Sequence, residues 1–409
     1  MKKVALTLAG VLAAAAFAPE ASALPVFARQ TGAACSACHF QHFPLLNAFG
    51  RSFKASGYTQ ISQAQVEGEH LSIPANLNFG ALVTAGYEDQ SKAAGAVASN
   101  QNIFVPGTGG EMQLFWGGRI NDFAGFLSEF GTAGAASAGS GKILMLPEIT
   151  GDIRGGLVLY SIGQDAAGAF ELLNTGATSI HRLMGNGGMG GQHIMAYSAR
   201  QYVAAEAGAT GAAAVVAHPN GFVNISRYIN VGNGVAGGTN GVGLPFTYIR
   251  AAGIVDVAGF ETGFGIQNWS GKASALAGAA TEKATVIDAQ MQGEVAGMPL
   301  GLYASYGTAG ADAINPNNFN LGIATRSSFN IAAELGVLPG HATVQAAIRS
   351  GKNGAGAGVD GDNAFMIGAT YELSMNQELT LHYTTQSGSA WNANPIGKNA
   401  VTLLLETLF

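Results

Sequence analysis

Residues 73–87 read IPANLNFGALVTAGY, and every second residue of this run is apolar. In a β-strand successive side chains point to opposite faces, so one face of the run is continuously apolar. The other face carries Asn76, Asn78 and Thr84, and Glu88 continues it. A period of two over this length is typical of a strand that crosses a membrane, with lipid on one face and a lumen on the other. The apolar positions are Ile73, Ala75, Leu77, Phe79, Ala81, Val83, Ala85 and Tyr87.

The same alternation recurs along the chain in pairs of segments that are joined by short turns. These pairs are predicted β-hairpins, and longer Gly-, Asn- and Ala-rich stretches separate them. Alternating short and long connections fit the periplasmic turns and extracellular loops of outer-membrane barrels. The sequence therefore predicts an all-β protein, a transmembrane antiparallel β-barrel of about 16 strands (roughly 14–18) over residues 71–409. The clearest hairpins are 111–120 with 123–132, 285–294 with 300–306 across the turn Gly297-Met298-Pro299, 328–338 with 341–349, and 365–373 with 378–385.

The composition supports a barrel and excludes other classes. Charged residues are 11% of the chain, against about 25% in ordinary soluble domains, and the mean hydropathy is +0.22. Beyond the N-terminal region no apolar stretch reaches the ~20 residues of a membrane helix, so strands would have to meet the lipid. The net charge of −6 is small for this length and does not suggest nucleic acid as a partner. A soluble β-solenoid or an autotransporter-like sheet is the alternative.

The N-terminal region predicts export. Lys2 and Lys3 precede an apolar run from Val4 to Ala18, and an A-x-A cleavage site follows at 21–23. This order is that of a signal peptide, which would occupy residues 1–23. A membrane-anchoring helix is the alternative, but the run is shorter than a span needs.

The C-terminal region predicts a closing strand. Val401, Leu403, Leu405 and Phe409 share one face of a final strand, with Thr407 as the single weak position. A last strand that ends in an aromatic residue is typical of outer-membrane β-barrels.

Both cysteines of the chain lie in Cys35-Ser36-Ala37-Cys38-His39, which is the C-x-x-C-H pattern of c-type haem attachment. Two thiols at this spacing can add to the two vinyl groups of one haem, and the adjacent imidazole can bind the iron as the proximal ligand. A thioredoxin-like redox pair would need a βαβ context, and a zinc site would need a second ligand pair. Neither is present in the sequence. We therefore expect one covalently bound haem c, attached to Cys35 and Cys38 and ligated by His39.

The motif belongs to a short segment, residues 24–70, which is too small to bury a substantial core. The haem, or packing inside a larger body, would have to hold it together, and a barrel lumen is large enough to contain it. Helices are expected between Phe40 and Lys54, one of them starting at Pro44, with Gly57 ending the last. The expected haem-packing surface is Phe40, Phe43, Leu45, Leu46, Phe49, Phe53 and Tyr58.

The segment resembles the outer-membrane monohaem cytochrome–porin fusions of iron-oxidising bacteria. The resemblance lies in FARQTG at 27–32, the haem motif, Phe43-Pro44, and FGRSFK at 49–54. It implies that electrons are taken from extracellular Fe(II) and passed inward to a periplasmic c-type cytochrome or another soluble carrier. It also implies that Cys35 and Cys38 bind the haem and that His39 is the proximal ligand.

Other haem contacts are open at this level. His42 is too close to His39 in sequence to reach around the ring easily, so His70, Met112, a lumenal histidine or water are the candidates for the distal side. Arg29, Arg51 and Lys54 are candidate contacts of the haem propionates, or else they pair with acids in the lumen. No residue is assigned to bind ferrous iron.

The sequence thus predicts an outer-membrane protein with its haem segment in the lumen or at the periplasmic mouth, and the resemblance implies activity as an iron oxidase. One alternative is a porin for small solutes in which the haem segment acts as a redox gate. The other is a soluble periplasmic cytochrome with a β-rich region that binds its partner.

Overall fold

The computed structural model describes residues 25–90, 101–107, 109–131, 140–162, 166–174, 198–204, 208–231, 243–275, 278–392 and 398–409. The signal peptide expected at 1–23 lies outside these ranges. The helices are α1 Pro25–Thr31, α2 Cys35–Cys38, α3 Ala48–Ala55 and α4 Ala199–Val203, with short 3-10 turns at Ala166–Ala169 and Ser389–Trp391. None of these helices is long and apolar enough to cross a membrane.

The strands of the described residues alternate with short and long connections, as the sequence predicts. Their bounds are β1 Gln65–Gly68, β2 Leu71–Pro74, β3 Phe79–Gln90, β4 Gln101–Pro106, β5 Gly109–Gly110, β6 Met112–Asn121, β7 Ala124–Gly131, β8 Ser140–Met145, β9 Glu148–Thr150, β10 Ile153–Ile162, β11 Gly208–His218, β12 Gly221–Val231, β13 Phe246–Val257, β14 Phe260–Ala275, β15 Gly278–Val295, β16 Met298–Ala309, β17 Arg326–Leu338, β18 Ala342–Lys352, β19 Asn363–Ser374, β20 Gln377–Ser387 and β21 Asn399–Leu408.

Strands β3 to β21 form a closed barrel. The segments β4, β5 and β6 together follow β3, and β8 and β9 both pair with β10, so the described strands occupy sixteen positions around the barrel. Neighbouring positions are antiparallel. The predicted fold, an antiparallel barrel of about 16 strands with short N-terminal helices, is confirmed.

The last strand closes the barrel against the first. β21 pairs with β3 from Ala400 opposite Gln90 to Leu408 opposite Leu82. The Phe409 amide then donates to the Ala81 carbonyl at 3.0 Å, and the Ala81 amide donates to the Phe409 carbonyl at 2.7 Å. The predicted outward face of β21 is confirmed, because Val401, Leu403 and Phe409 are exposed on the outer surface.

The alternation of residues 73–87 predicts one strand, but the structure divides this run between β2 and β3. Ile73 belongs to a separate two-stranded hairpin, where it pairs with Val66, and the barrel strand begins only at Phe79. Asn78 lies at the break, and its side chain is drawn inward to bond Gln30 and Gln63. The alternation of residues 73–78 therefore serves a hairpin and a polar contact with α1, while residues 79–87 follow the predicted pattern.

The turn between β15 and β16 begins one residue earlier than the sequence predicts. The β15–β16 turn is Ala296-Gly297, with φ of 53° and 77°, and not Gly297-Met298-Pro299. Positive φ at both central residues gives the twist that a two-residue hairpin needs. Pro299 is accommodated near the start of β16, where it pairs with Glu294.

The two faces of the barrel wall differ sharply in polarity. The outer surface is a belt of exposed aliphatic and aromatic side chains, and the inner surface carries buried polar ones. A lipid-facing exterior and a polar interior are what a transmembrane barrel requires. Outward residues include Leu157, Leu159, Ile225, Ile249, Phe264, Ile266, Ile287, Phe329, Ile331, Ile348, Phe365, Ile367, Leu381 and Tyr383, and inward ones include Asn224, Arg250, Gln267, Asp288, Gln290, Glu334, Gln345, Thr370 and Gln386.

The N-terminal segment lies across the end of the barrel that carries the short turns. Arg51 of α3 pairs with Glu261, just after the β13–β14 turn. On the opposite wall, the side-chain amide of Gln41 donates from Nε2 to the Pro299 carbonyl at 2.9 Å, beside the β15–β16 turn. Short turns face the periplasm in outer-membrane barrels. The segment therefore occupies the mouth that would be periplasmic.

A second segment of the chain, residues 166–174, lies inside the lumen. Residues 166–174 pack against the inner wall, and Phe170 and Leu173 are fully buried there among Tyr228, Tyr248 and Trp269. Glu171 of this loop and Asp288 of β15 both bind Arg250 of β13, whose side chain is completely buried. Apolar packing and this ion-pair network together hold the loop inside the barrel.

Candidate functional site

The two cysteines lie on one short helix. Cys35 and Cys38 begin and end α2, three residues apart, and both side chains are half-buried. Residues at this spacing share one helix face. The two thiols are not joined in a disulfide. The His39 amide donates to the Cys35 carbonyl at 2.8 Å, so the imidazole follows directly on the helix that carries the thiols.

The His39 ring is held in one tautomer. Its Nδ1 lies 2.9 Å from the Leu45 carbonyl oxygen, which can only accept a hydrogen bond, so Nδ1 must be the donor. Nε2 then carries the lone pair that a metal ligand needs. Burial lowers the pKa of His39 to about 4, which keeps the ring neutral. This donor set, two adjacent thiols and a neutral, oriented imidazole, fits a covalently bound haem.

Helix α3 supports α2 through Asn47 and Gly50. The Asn47 side chain caps α3 by accepting from the Gly50 amide at 3.0 Å, and its amide donates to the Ala37 carbonyl at 3.0 Å. Asn47 thus satisfies groups at the start of α3 and the end of α2 at once. Gly50 lies so close to α2 that an added Cβ would be 2.1 Å from the Cys38 carbonyl oxygen.

We expect Gly50→Ala to loosen the packing of α2, the helix that carries the C-x-x-C-H cysteines. Ala normally stabilises a helix interior by roughly 0.5–1 kcal/mol relative to Gly, but here its Cβ would overlap backbone, and overpacking destabilises by about 1–3 kcal/mol. The measurement is the ratio of bound haem to protein after expression, which should fall in Gly50→Ala. Gly68→Ala is the matched control, because nothing lies within 4 Å of its added Cβ. Equal haem content in the two variants would contradict this packing argument.

The helix of the haem motif and the barrel wall enclose a pocket. Cys35, His39 and Phe43 line it from the N-terminal segment. His341, Thr370 and Glu372 line it from the ends of the strands at the short-turn mouth. The motif therefore faces the barrel wall, and the pocket is lined by His39 and His42 from the segment and by His341 from the wall.

His42 also lines the pocket, but both of its ring nitrogens have hydrogen-bond partners. Its Nδ1 donates to the Phe43 carbonyl at 2.6 Å, and its Nε2 lies 2.8 Å from Glu334 Oε1 of β17. Burial lowers the pKa of His42, but the charges of Glu334 and Glu378 outweigh this and raise it to about 10. Both ring nitrogens therefore carry protons at neutral pH, and an imidazolium has no lone pair for iron. His42 is an ionic link between the segment and the wall.

This link predicts a pH dependence. Because the folded pKa of His42 is about 10 and the ordinary value is 6.5, its stabilisation is complete below pH 6.5, declines above that, and is lost once pH passes about 10. We expect the thermal midpoint of the detergent-solubilised protein to fall between pH 7 and 10.5, and to fall less in His42→Gln. Parallel pH profiles for the two proteins would contradict the assignment.

The other sequence-predicted distal ligands lie away from the pocket. His70 is in the β1–β2 hairpin turn, where its side chain is 92% exposed and near Glu69. Met112 begins β6 and is exposed on the barrel surface. Neither lines the pocket that contains His39.

The predicted propionate contacts do not line the pocket either. Arg29 donates to the Phe79 carbonyl, and Arg51 pairs with Glu261, the alternative that the sequence left open. Lys54 faces the lumen: burial lowers its pKa to about 8, while the charge of Glu171 raises it. A role for these residues at the propionates stays a prediction.

Three of the seven residues that are expected to pack against the haem are buried against the barrel interior. Phe53 and Tyr58 pack with Phe27 and belong to the main apolar cluster of the barrel interior. Leu45 is fully buried in a second cluster that includes Tyr303 and Met366. Of the seven predicted residues, only Phe43 lines the pocket. The helix expected to start at Pro44 begins instead at Ala48, because Asn47 provides the cap.

Sequence reasoning missed His341 and Glu372. His341 was interpreted as the first residue of a strand, and it lies in the β17–β18 turn after Gly340. A histidine directly after a Pro-Gly turn at the periplasmic end was the available signal. His181 and His193 lie outside the described residues. Among the residues that are described, no group of three or more His, Cys, Asp or Glu side chains could hold a metal ion.

Solved structures provide the similarities to known proteins. The chain is similar to OmpT, an outer membrane protein of Vibrio cholerae, at 8% identity over 82% of this chain and 99% of that chain, with a TM-score of 0.48. It is similar to a mutant porin of Rh. blastica at 10% identity over 82% and 100%, with a TM-score of 0.48. It is also similar to the outer membrane channel DcaP of Acinetobacter baumannii at 12% identity over 82% and 97%, with a TM-score of 0.46. No protein-family model and no curated protein matches the chain.

Proposed function

We propose that the protein is an outer-membrane cytochrome that passes electrons inward from an extracellular donor through one covalent haem. The observation that carries the proposal is the arrangement around α2, where two thiols adjoin a neutral His39 whose Nδ1 is held by the Leu45 carbonyl. A bound haem supplies one-electron chemistry there, and the protein sets its position, ligands and solvent access.

The position of this group in the barrel supports electron transfer to a periplasmic acceptor. The hydrocarbon band is ~25 Å tall and insulates an outside donor from a periplasmic acceptor. The N-terminal segment is fixed at the short-turn mouth by Gln41, His42 and Arg51. A redox group at this mouth lies beside the periplasm, where a soluble c-type cytochrome or another carrier can approach it.

The donor that we propose is ferrous iron, which oxidises to insoluble products and is therefore best oxidised outside the cell. Each Fe(II) that becomes Fe(III) releases one electron, and a periplasmic one-electron carrier finally accepts it. The proposed activity is that of an Fe(II):cytochrome oxidoreductase. The support for iron is the likeness of residues 27–32 and 49–54 to the iron-oxidising cytochrome–porin fusions.

The test is a reduction assay with the purified holo-protein. Oxidised protein in detergent is mixed anaerobically with Fe(II) at controlled pH, and the visible spectrum should change to that of the reduced haem. A haem that is reduced by dithionite but not by Fe(II), at a potential where transfer is favourable, would contradict iron as the donor. A purified protein without covalent haem would contradict the whole proposal.

A channel for small solutes is the second candidate. Sixteen strand positions are observed in the described residues, and barrels of 16–18 strands leave an aqueous lumen in porins. Against it stand the segment across the mouth and the buried loop at 166–174, which occupy that lumen. Liposome swelling separates the candidates, because a conductor whose lumen is filled should admit small sugars no faster than empty liposomes.

A further inference from the structure

We propose that His341 is the second axial ligand of the haem, on the side opposite His39. The proposal rests on the proposed function, because it requires the covalent haem at α2. It goes further by naming a ligand from the barrel wall.

The N-terminal segment and the barrel wall both contribute histidines to the lining of one pocket. Cys35 and His39 line the pocket from the N-terminal segment, and His341 lines it from the β17–β18 turn of the barrel. The two histidines are far apart in sequence, so nothing in the local chain forces them together. Ligands on opposite faces of a haem must approach from different directions, which is what two separate walls allow.

The His341 ring is oriented as metal-binding histidines commonly are. Its Nδ1 lies 3.1 Å from Glu372 Oε2, and a carboxylate accepts, so Nδ1 is the donor and Nε2 is the atom that carries the lone pair of the neutral ring. Within the residues that the structure describes, His341 Nε2 has no hydrogen-bond partner. The backbone is fixed as well, because the Glu372 amide donates to the His341 carbonyl at 2.8 Å.

The other described histidines are unsuited to this role. His42 donates from both nitrogens. His382 is buried inside β20 with Nε2 against Gln345, and His218 receives the Asn220 amide at its own turn. His70 is in the exposed hairpin. Among the described residues, His39 and His341 are therefore the histidines that line the pocket and can present Nε2.

Ligation by two histidines has two consequences. The haem iron would be six-coordinate and low-spin in the resting protein. The haem would also clamp the N-terminal segment to the β17–β18 turn, and so tie cofactor loading to docking of the segment. A nitrogen ligand in place of a methionine sulfur gives a lower potential than the His/Met pair of soluble cytochromes c.

The test compares wild-type holo-protein with His341→Ala, His341→Met and the control His218→Ala. Covalent haem is counted for each by haem staining, and the ligands are identified by visible absorption and electron paramagnetic resonance. We expect wild type and His218→Ala to be low-spin and His341→Ala to become high-spin, with added imidazole restoring the low-spin spectrum. His341→Met should be low-spin with a higher potential than wild type, and it also covers the case in which the alanine variant does not fold.

The outcomes separate the two proposals. Covalent haem in the wild type together with an unchanged low-spin spectrum in His341→Ala and an unchanged potential in His341→Met would overturn the ligand assignment alone. A high-spin wild type would also overturn it alone. A wild type without covalent haem would overturn both.

Discussion

Replacing Cys35 and Cys38 together by serine will abolish covalent haem while leaving the barrel intact. These are the only cysteines of the chain, so no thioether can form elsewhere. Serine nearly matches cysteine in size, and both side chains are only half-buried, so the change disturbs packing little. In a host that matures c-type cytochromes, the haem stain on a denaturing gel should fall from one per chain to none.

Barrel assembly is the control for that loss. We expect the folded barrel to resist detergent until it is heated, so that the shift of its gel band on heating reports its stability. We expect the same shift for wild type and the double variant, because both cysteines belong to α2 of the N-terminal segment and not to a barrel strand. Haem staining that survives in the double variant would contradict attachment at α2. Loss of the folded band would instead place the cysteines in the core of the fold.

The second large effect is expected at Arg250. This buried side chain binds Asp288 through two nitrogens, at 2.6 and 2.9 Å, and Glu171 at 2.9 Å. Arg250→Met leaves two carboxylates buried without their cation, and breaking a buried pair in this way costs about 3–5 kcal/mol. We expect a clear fall in the thermal midpoint of the folded band, with detachment of the loop at 166–174 from the wall.

Two further variants test the cause. Arg227→Met makes the same change at an exposed arginine of β12 and should shift the midpoint little. Adding Glu171→Gln and Asp288→Asn to Arg250→Met removes the stranded charges and should recover most of the loss. A midpoint for Arg250→Met that equals that of Arg227→Met would show that the network does not hold the loop.

The same variant bears on the choice between conductor and channel. If the loop at 166–174 blocks the lumen, its release should raise sugar entry in the swelling assay above that of wild type. If wild type already admits sugars freely, the lumen is open despite the loop, and the solute-channel function gains support.

Strand positions that depend on neighbouring residues were predicted from the sequence, and features that depend on strand pairing were not. Alternation in β6, β17, β18 and β19 predicted strands within three residues of their observed bounds, because a two-residue period depends on neighbours along the chain. The same rule failed at residues 73–78, because Ile73 pairs with Val66 in a separate hairpin and the barrel strand begins only at Phe79. The alternation predicts the inward face of Asn78, which contacts Gln30, but it does not show where the strand breaks.

The candidate site divides in the same way. The motif at 35–39 predicts attachment and the proximal histidine, since five consecutive residues contain the whole constellation. The apolar residues after it pack on the barrel, since Phe53 and Tyr58 belong to the cluster of the barrel interior and Leu45 to a cluster with Tyr303, and their contact with a haem stays a prediction. An apolar side chain near a cofactor motif packs equally well on any apolar surface, and the sequence does not say which surface is nearer.

Taken alone, the sequence determined the barrel and the haem motif, because each is written in residues a few positions apart. Only the tertiary structure decided what faces the motif. His42 meets Glu334 across 292 residues, and His341 enters the pocket from a turn whose position depends on the closure of the barrel. Strand register over the whole circumference sets those meetings, and no local period encodes it.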